Sequence, residues 1–210
     1  SYNFLHLFKF RQKAKNAKYE VMIMKYDLSK TPTRGAERTL TAFFETMLSL
    51  LSQKSFDNIS VNEICKVSNF PRATFYNYFD DKYDLVDYCW HVLAAEIEVD
   101  QIQSAPSDNE LLIYFDRLYD IFEKRQDLLK DILKNNDFSG TLITSFINYL
   151  KAIMQKIFYE SLAYTKPDVP TELMADHCSE TVLLILEWIF LKQKPTTKAQ
   201  AHKYLNALLN

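Results

Sequence analysis

The sequence predicts an all-α chain: an N-terminal three-helix domain with a helix-turn-helix, joined by a linking helix to a C-terminal helical domain. Three observations predict it. Only two of 210 residues are glycine and six are proline, so long stretches run without a helix breaker. Apolar residues recur at helical spacing along most of the chain. Residues 60 to 85 read as two short helices about a tight turn, followed at once by a third. The expected boundaries are 1–29 for an N-terminal extension, 30–84 for the helix-turn-helix domain and 85–210 for the second domain.

The first helix is expected over 36–53, where Leu40, Phe43, Phe44, Met47, Leu48 and Leu51 form an apolar stripe. Thr31-Pro32-Thr33-Arg34-Gly35 reads as an arm leading into it. Ser60 and Glu63 make an S-x-x-E capping box that starts the second helix. Val61, Ile64 and Val67 give its apolar face. Asn69 tolerates the left-handed conformation a sharp turn needs. Pro71 suits the first turn of the next helix, where no N–H is missed. Phe70, Phe75 and Phe79 point into a small core, leaving Arg72, Thr74, Tyr76, Asn77 and Tyr78 more exposed. Asp80 or Asp81 caps a further helix, with Lys82 in its first turn.

The exposed set suits a DNA major groove. Arginine pairs with guanine, asparagine with adenine, and a threonine methyl with the thymine methyl. Tyrosine hydroxyls and a lysine ammonium suit phosphates. The expected DNA-contacting residues are Ser60, Arg72, Thr74, Tyr76, Asn77, Tyr78 and Lys82, with Arg34 from the arm. A helical hairpin of an ordinary bundle is the structural alternative, since the same geometry occurs without DNA.

Residues 38 to 85 resemble the DNA-binding domain of TetR/AcrR-type transcriptional regulators, on Ser60, Val61, Ile64, Thr74, Phe75, Tyr76, Tyr78, Phe79, Lys82 and Leu85. Departures are Cys65, Phe70 and Ala73 at small or apolar positions, Asn69 for glycine, and Pro71 for serine, which removes a hydroxyl able to meet a phosphate. The resemblance implies a linking helix from Lys82 to about Gln103, a homodimer, double-stranded DNA as partner and a small-molecule effector. It also places Lys30, Arg34, Arg38, Arg72 and Lys82 on the DNA face. That matters because the net charge is −2, and a local basic patch is what phosphate attraction requires.

Further helices are expected over 108–123, after the Pro106-Ser107-Asp108 break, then 126–134, a long one through Leu162, 171–192, and one opening at Pro195-Thr196-Thr197 and running through Leu209. Lys166 to Pro170 reads as a loop. Glu187 to Thr196 resembles the end of one C-terminal domain type of the family. The 171–192 helix is apolar on most sides, which suits a dimer interface with Leu184 and Phe190 as outward positions; a central helix of a monomeric bundle is the alternative. The resemblance implies an effector pocket, for which Tyr88, His91, Phe115, Tyr119, Phe122, Phe146, Tyr149 and His177 are the expected lining, fit for an apolar or aromatic molecule.

Other classes find less support. No catalytic motif is present, so no enzyme is expected. Cys89, His91, His177 and Cys178 are of zinc-binding type. Neighbouring positions on a helix point apart, however, so buried thiols and hydrogen-bonded histidines are the reading; no metal or cofactor is expected. Three widely spaced cysteines argue for a reducing cytoplasm, and no apolar run is long enough for a membrane span. Residues 1–25 carry six basic residues and one acid. The first 23 read as a basic arm, a partner-binding amphipathic helix, a targeting stretch or untranslated sequence ahead of a start at Met24. The functional reading is a repressor that leaves a pseudo-palindromic operator when its effector binds. Its alternative is a TetR-like module acting through a protein partner.

Overall fold

A computed structural model describes residues 24–28, 30–95, 110–162 and 168–209. The expectations for residues 1–23, for the linking helix beyond Ala95, for the break at Pro106 and for the loop at Lys166-Pro167 lie outside the described residues. No strand occurs among those described, and none of their helices is long and apolar enough to cross a membrane. Two compact units appear. One holds the described residues of Ser1–Asp100 with Asp131–Ser145, and the other those of Gln101–Lys130 with Phe146–Asn210.

The first unit contains α1 (Arg34–Gln53), a 3-10 turn (Phe56–Asn58), α2 (Val61–Ser68), α3 (Arg72–Tyr78) and α4 (Lys82–Ala95). The helix expected from residue 36 starts two residues earlier. The Thr33 hydroxyl accepts the Ala36 N–H at 3.2 Å, which draws Arg34 and Gly35 out of the arm and into the first turn. Leu40, Phe43, Met47 and Leu51 on α1 are fully buried, as are Ile64, Phe75, Phe79 and Leu85 on or beside the helices that follow. The Phe43 ring lies 5.5 Å from Phe70, 5.4 Å from Phe75 and 6.0 Å from Phe79. Each such side chain contributes about 1.5–3 kcal/mol of burial, which is how three short helices hold together.

The last carbonyls of α1 lack helical partners. Two asparagines at the end of α6 (Gln126–Asn135) and just beyond it supply them. Asn135 Nδ2 donates to the Ser52 carbonyl at 2.9 Å, and Asn136 Nδ2 to the Leu51 carbonyl at 3.3 Å. Asn136 Oδ1 accepts the Phe56 N–H at 2.8 Å. Ser145, at the start of α7 (Thr141–Leu162), accepts the Trp90 indole N–H at 3.0 Å.

The second unit is built from α5 (Glu110–Lys124), the later part of α7, α8 (Thr171–Leu186) and α9 (Lys198–Leu209). On α8, Ala175, Cys178, Ser179, Val182, Leu183, Ile185 and Leu186 are buried, so the helix is enclosed on several sides. The single helix expected over 171–192 instead widens into a π-helical turn at Glu187–Leu191, with the Lys192 N–H reaching back to the Glu187 carbonyl at 2.8 Å. Gln193 then takes a left-handed φ of 53° and ends it. Thr197 and Gln200 cap α9 reciprocally: the Gln200 N–H donates to Thr197 Oγ1 at 3.3 Å and the Thr197 N–H to Gln200 Oε1 at 3.0 Å. Across from it, His202 meets Asp116 at 2.6 Å and Lys198 pairs with Asp120.

Candidate nucleic-acid interface

The turn between α2 and α3 forms for local reasons. Ser60 Oγ accepts the Glu63 N–H at 3.3 Å. The Glu63 carboxylate binds Lys54 Nζ at 2.6 Å rather than returning to the Ser60 amide, so half of the capping box is formed. Asn69 sits at φ 57°, ψ 37° and closes α2, and the Phe70 N–H reaches the Cys65 carbonyl at 3.1 Å. Pro71 is extended and directly precedes α3. Its fixed φ fits the approach, and its carbonyl accepts the first helical bond, from Phe75.

Burial then sorts the faces of α3. Phe75 and the following Phe79 are fully enclosed. Arg72, Ala73, Tyr76 and Asn77 are exposed, with Thr74 and Tyr78 half-buried beside them. Arg72 and Tyr76 are one turn apart, and Arg72 Nη2 donates to the Tyr76 hydroxyl at 3.1 Å. These five expected contact residues therefore share one short helix of about 10 Å. Ser60 and Arg34 are exposed at the N-termini of α2 and α1.

Lys82 is placed differently from a free phosphate contact. Its ammonium donates to the carbonyls of Phe56, Asp57 and Ile59 at 2.8, 3.1 and 3.0 Å, which uses all three of its protons. A phosphate there has to displace a carbonyl. The acids after α3 are spent on the backbone as well. Asp81 Oδ1 accepts the N–H groups of Tyr83 and Asp84 at 2.8 and 2.9 Å, and Asp84 Oδ2 accepts that of Asp80 at 2.9 Å. Burial pushes the Asp84 carboxyl up, partly offset by these backbone bonds.

Sequence reasoning missed Lys25 and Tyr26. Lys25 Nζ donates to the Tyr76 carbonyl at 2.7 Å and pairs with Asp80 at 2.9 Å. The Tyr26 ring lies 5.8 Å from Tyr78 and 6.0 Å from Tyr88. Both partnerships span some fifty residues or more, and nothing local in Met24 to Leu28 signals them.

The expected pocket residues fall in both units. Tyr88 and His91 are buried in the first, where Tyr88 packs 5.5 Å from Phe79. In the second, Phe122 lies 5.8 Å from Phe146 and 5.3 Å from Phe190, and Tyr119 lies 5.2 Å from Phe190. Phe115 and Tyr149 are buried there too, whereas His177 is exposed on α8. A hollow of about 260 Å³ opens beside Tyr119, Phe190, Gln193 and Lys194.

Phe190, expected outward, is a correction: it is 6% exposed and sits in this aromatic cluster. Phe190 stands seven residues after Leu183 and four after Leu186, so helical spacing aligns it with those two buried leucines rather than with exposed Leu184. Leu184 is 50% exposed as expected, and Leu173, Trp188, Tyr204 and Leu208 are exposed as well. Burial pushes the Cys89 and Cys178 thiols up. Among the described residues no three His, Cys, Asp or Glu converge as a metal site would require.

Residues 45–89 match the bacterial regulatory proteins of the tetR family. One similar solved structure is a protein from Syntrophomonas wolfei str. Goettingen assigned as a TetR-family transcriptional regulator. It is 19% identical, with a TM-score of 0.56, over 84% of this chain and 93% of that one. This likeness shows the fold. Among curated proteins none matches.

Proposed function

We propose that this chain, whose residues 45–89 carry the DNA-binding domain of the TetR family of bacterial regulators, is a transcriptional repressor. It binds a pseudo-palindromic operator as a homodimer and leaves it when a small apolar or aromatic effector binds the second unit. The observation that carries the reading is the sorting of α3. Its apolar residues are enclosed, while Arg72, Tyr76 and Asn77 stand exposed together, and these are side chains that pair with base edges and phosphates.

A homodimer is supported by Leu173, Leu184, Trp188, Tyr204 and Leu208, large apolar side chains left exposed on α8, the turn after it and α9. Large apolar side chains left in water favour association where they adjoin. An effector of apolar or aromatic kind is supported by the aromatic cluster of Tyr119, Phe122, Phe146 and Phe190.

Selection of bound duplexes from a random pool, with light scattering on the same sample, tests the reading. A symmetric consensus bound by a dimer is the expected result. Failure to select any duplex at low salt overturns it in favour of a module that acts through a protein partner.

A further inference from the structure

We propose that Lys25 is a positioning residue for α3, setting how its exposed side chains meet DNA; this rests on the DNA-binding reading above. A helix of seven residues is too short to hold itself in water. Its neighbours therefore fix its direction. Phe75 and Phe79 anchor one side in the core. The other end is held by a residue from outside the helix-turn-helix.

The geometry is a clamp on the C-terminal turn. The last carbonyls of a helix lack intrahelical partners, and a cation there also meets the negative end of the helix dipole. Lys25 Nζ donates to the Tyr76 carbonyl at 2.7 Å and pairs with Asp80 at 2.9 Å. The Lys25 N–H donates to Asp84 Oδ1 at 3.3 Å, while the other oxygen of Asp84 takes the Asp80 N–H at 2.9 Å. Lys25 and the carboxylates of Asp80 and Asp84 thus tie together the end of α3, the loop after it and the start of α4.

Tyr26 continues the attachment beneath the same turn, between Tyr78 and Tyr88. Burial pushes its hydroxyl up, and Leu28 is buried in turn. Tyr76, Asn77 and Tyr78 occupy the clamped turn. A small tilt there moves Asn77, which lies between the two tyrosines, against a base edge. An exposed ion pair adds little to stability, so the effect belongs in DNA discrimination more than in folding.

The test uses the full chain, a duplex selected from a random pool and an unselected duplex of equal length. Lys25→Ala is expected to bind the selected duplex about three- to tenfold more weakly, the scale of a lost helix-end contact and its neighbour. Binding to the unselected duplex and the salt dependence stay unchanged. In the free protein the amides of Tyr78 to Asp80 exchange several-fold faster. Lys25→Arg, which still donates to both partners, restores most of the affinity. Equal losses on both duplexes, with the salt slope lower by about one, make Lys25 a phosphate contact and overturn the proposal. Unchanged affinity despite faster exchange overturns it too. A wild type that selects no duplex removes the DNA reading and the positioning role together. A wild type that binds and a Lys25→Ala that binds equally well remove the positioning role alone.

Discussion

Arg72 Nη2 donates to the Tyr76 hydroxyl at 3.1 Å, and the guanidinium lies 5.6 Å from the centre of the Tyr76 ring. The two side chains hold each other along α3 while both remain exposed. The arginine is therefore held near one orientation before DNA arrives, which lowers the entropy lost on binding. Arg72→Ala is expected to weaken binding to a selected duplex by about 1–3 kcal/mol and to relax preference at one base pair. Tyr76→Phe keeps the ring and removes the hydroxyl, so it should weaken the selected duplex by less, about 0.5–1 kcal/mol. Titrations of both variants against single-base-pair changes check this. Equal binding of every duplex variant by wild type contradicts base reading by Arg72.

Lys82 belongs to the fold in this structure. Replacing it with methionine keeps the stem and removes the donor that the carbonyls of Phe56, Asp57 and Ile59 share, of which Phe56 alone, among the described residues, keeps another, the Ile59 N–H. The expected cost is about 1–2 kcal/mol in urea denaturation, less than for fully buried charged bonds because the group is partly wet. The salt slope of DNA binding should not change. A slope lower by about one without loss of stability would mean that the ammonium leaves the carbonyls for a phosphate.

Asn136 is buried and joins Leu51, Phe56 and Ile132 through its amide. Asn136→Ala should destabilise the first unit by about 2–3 kcal/mol, since the enclosed Phe56 N–H loses its acceptor. Asn135→Ala, in a wetter place, should cost about 1 kcal/mol. Denaturation midpoints of the two variants decide the order.

Asp87 gives a pH signature. Its carboxyl is pushed up to about 6, by burial first and then by Asp84 and Asp81. A raised carboxyl favours the folded state fully below the unfolded value near 4, and that advantage is lost as pH rises through about 6. Asp87→Asn should therefore be more stable than wild type by about 1 kcal/mol at pH 7, after allowance for solvent screening, and equal to it near pH 4. A gain of the same size at both pH values would assign the effect to something other than titration.

Leu184→Glu adds a charge to an exposed apolar position and should give folded monomers that bind the selected duplex poorly. Phe190→Glu should instead unfold the second unit, at a cost of at least about 3 kcal/mol, because its ring packs on Tyr119 and Phe122. Light scattering and thermal melts separate the two outcomes. A wild-type monomer at micromolar concentration contradicts the homodimer.

Much of the helix-turn-helix was legible because its causes are local. Ser60 caps a helix three residues away, Asn69 adopts the left-handed conformation its side chain tolerates, and Phe75 and Phe79 follow helical spacing. What the sequence left hidden depends on distant partners. Glu63 forgoes the Ser60 amide for Lys54, and Lys82 turns to carbonyls some 25 residues back. Phe190 is the exception: it follows buried Leu183 and Leu186 by seven and four residues, so its inward place was legible in helical spacing and the outward expectation did not follow that count. Asn135 and Asn136 read as a helix stop, and their bonds to α1 carry no sequence signature.

The helix-turn-helix unit is also interrupted along the chain, because Asp131–Ser145 return to it. During synthesis α1 to α4 leave the ribosome long before those residues. Until then the Leu51 and Ser52 carbonyls and the Phe56 N–H have only water. Translation from the N-terminus ordinarily lets an early domain finish before later segments exist. Here a nascent chain halted ahead of Asp131 lacks these helix-end partners and should hold the fold around α1 less firmly. The first unit should therefore reach its full stability only once Asp131–Ser145 have been made, and a chain cut short of them should melt earlier.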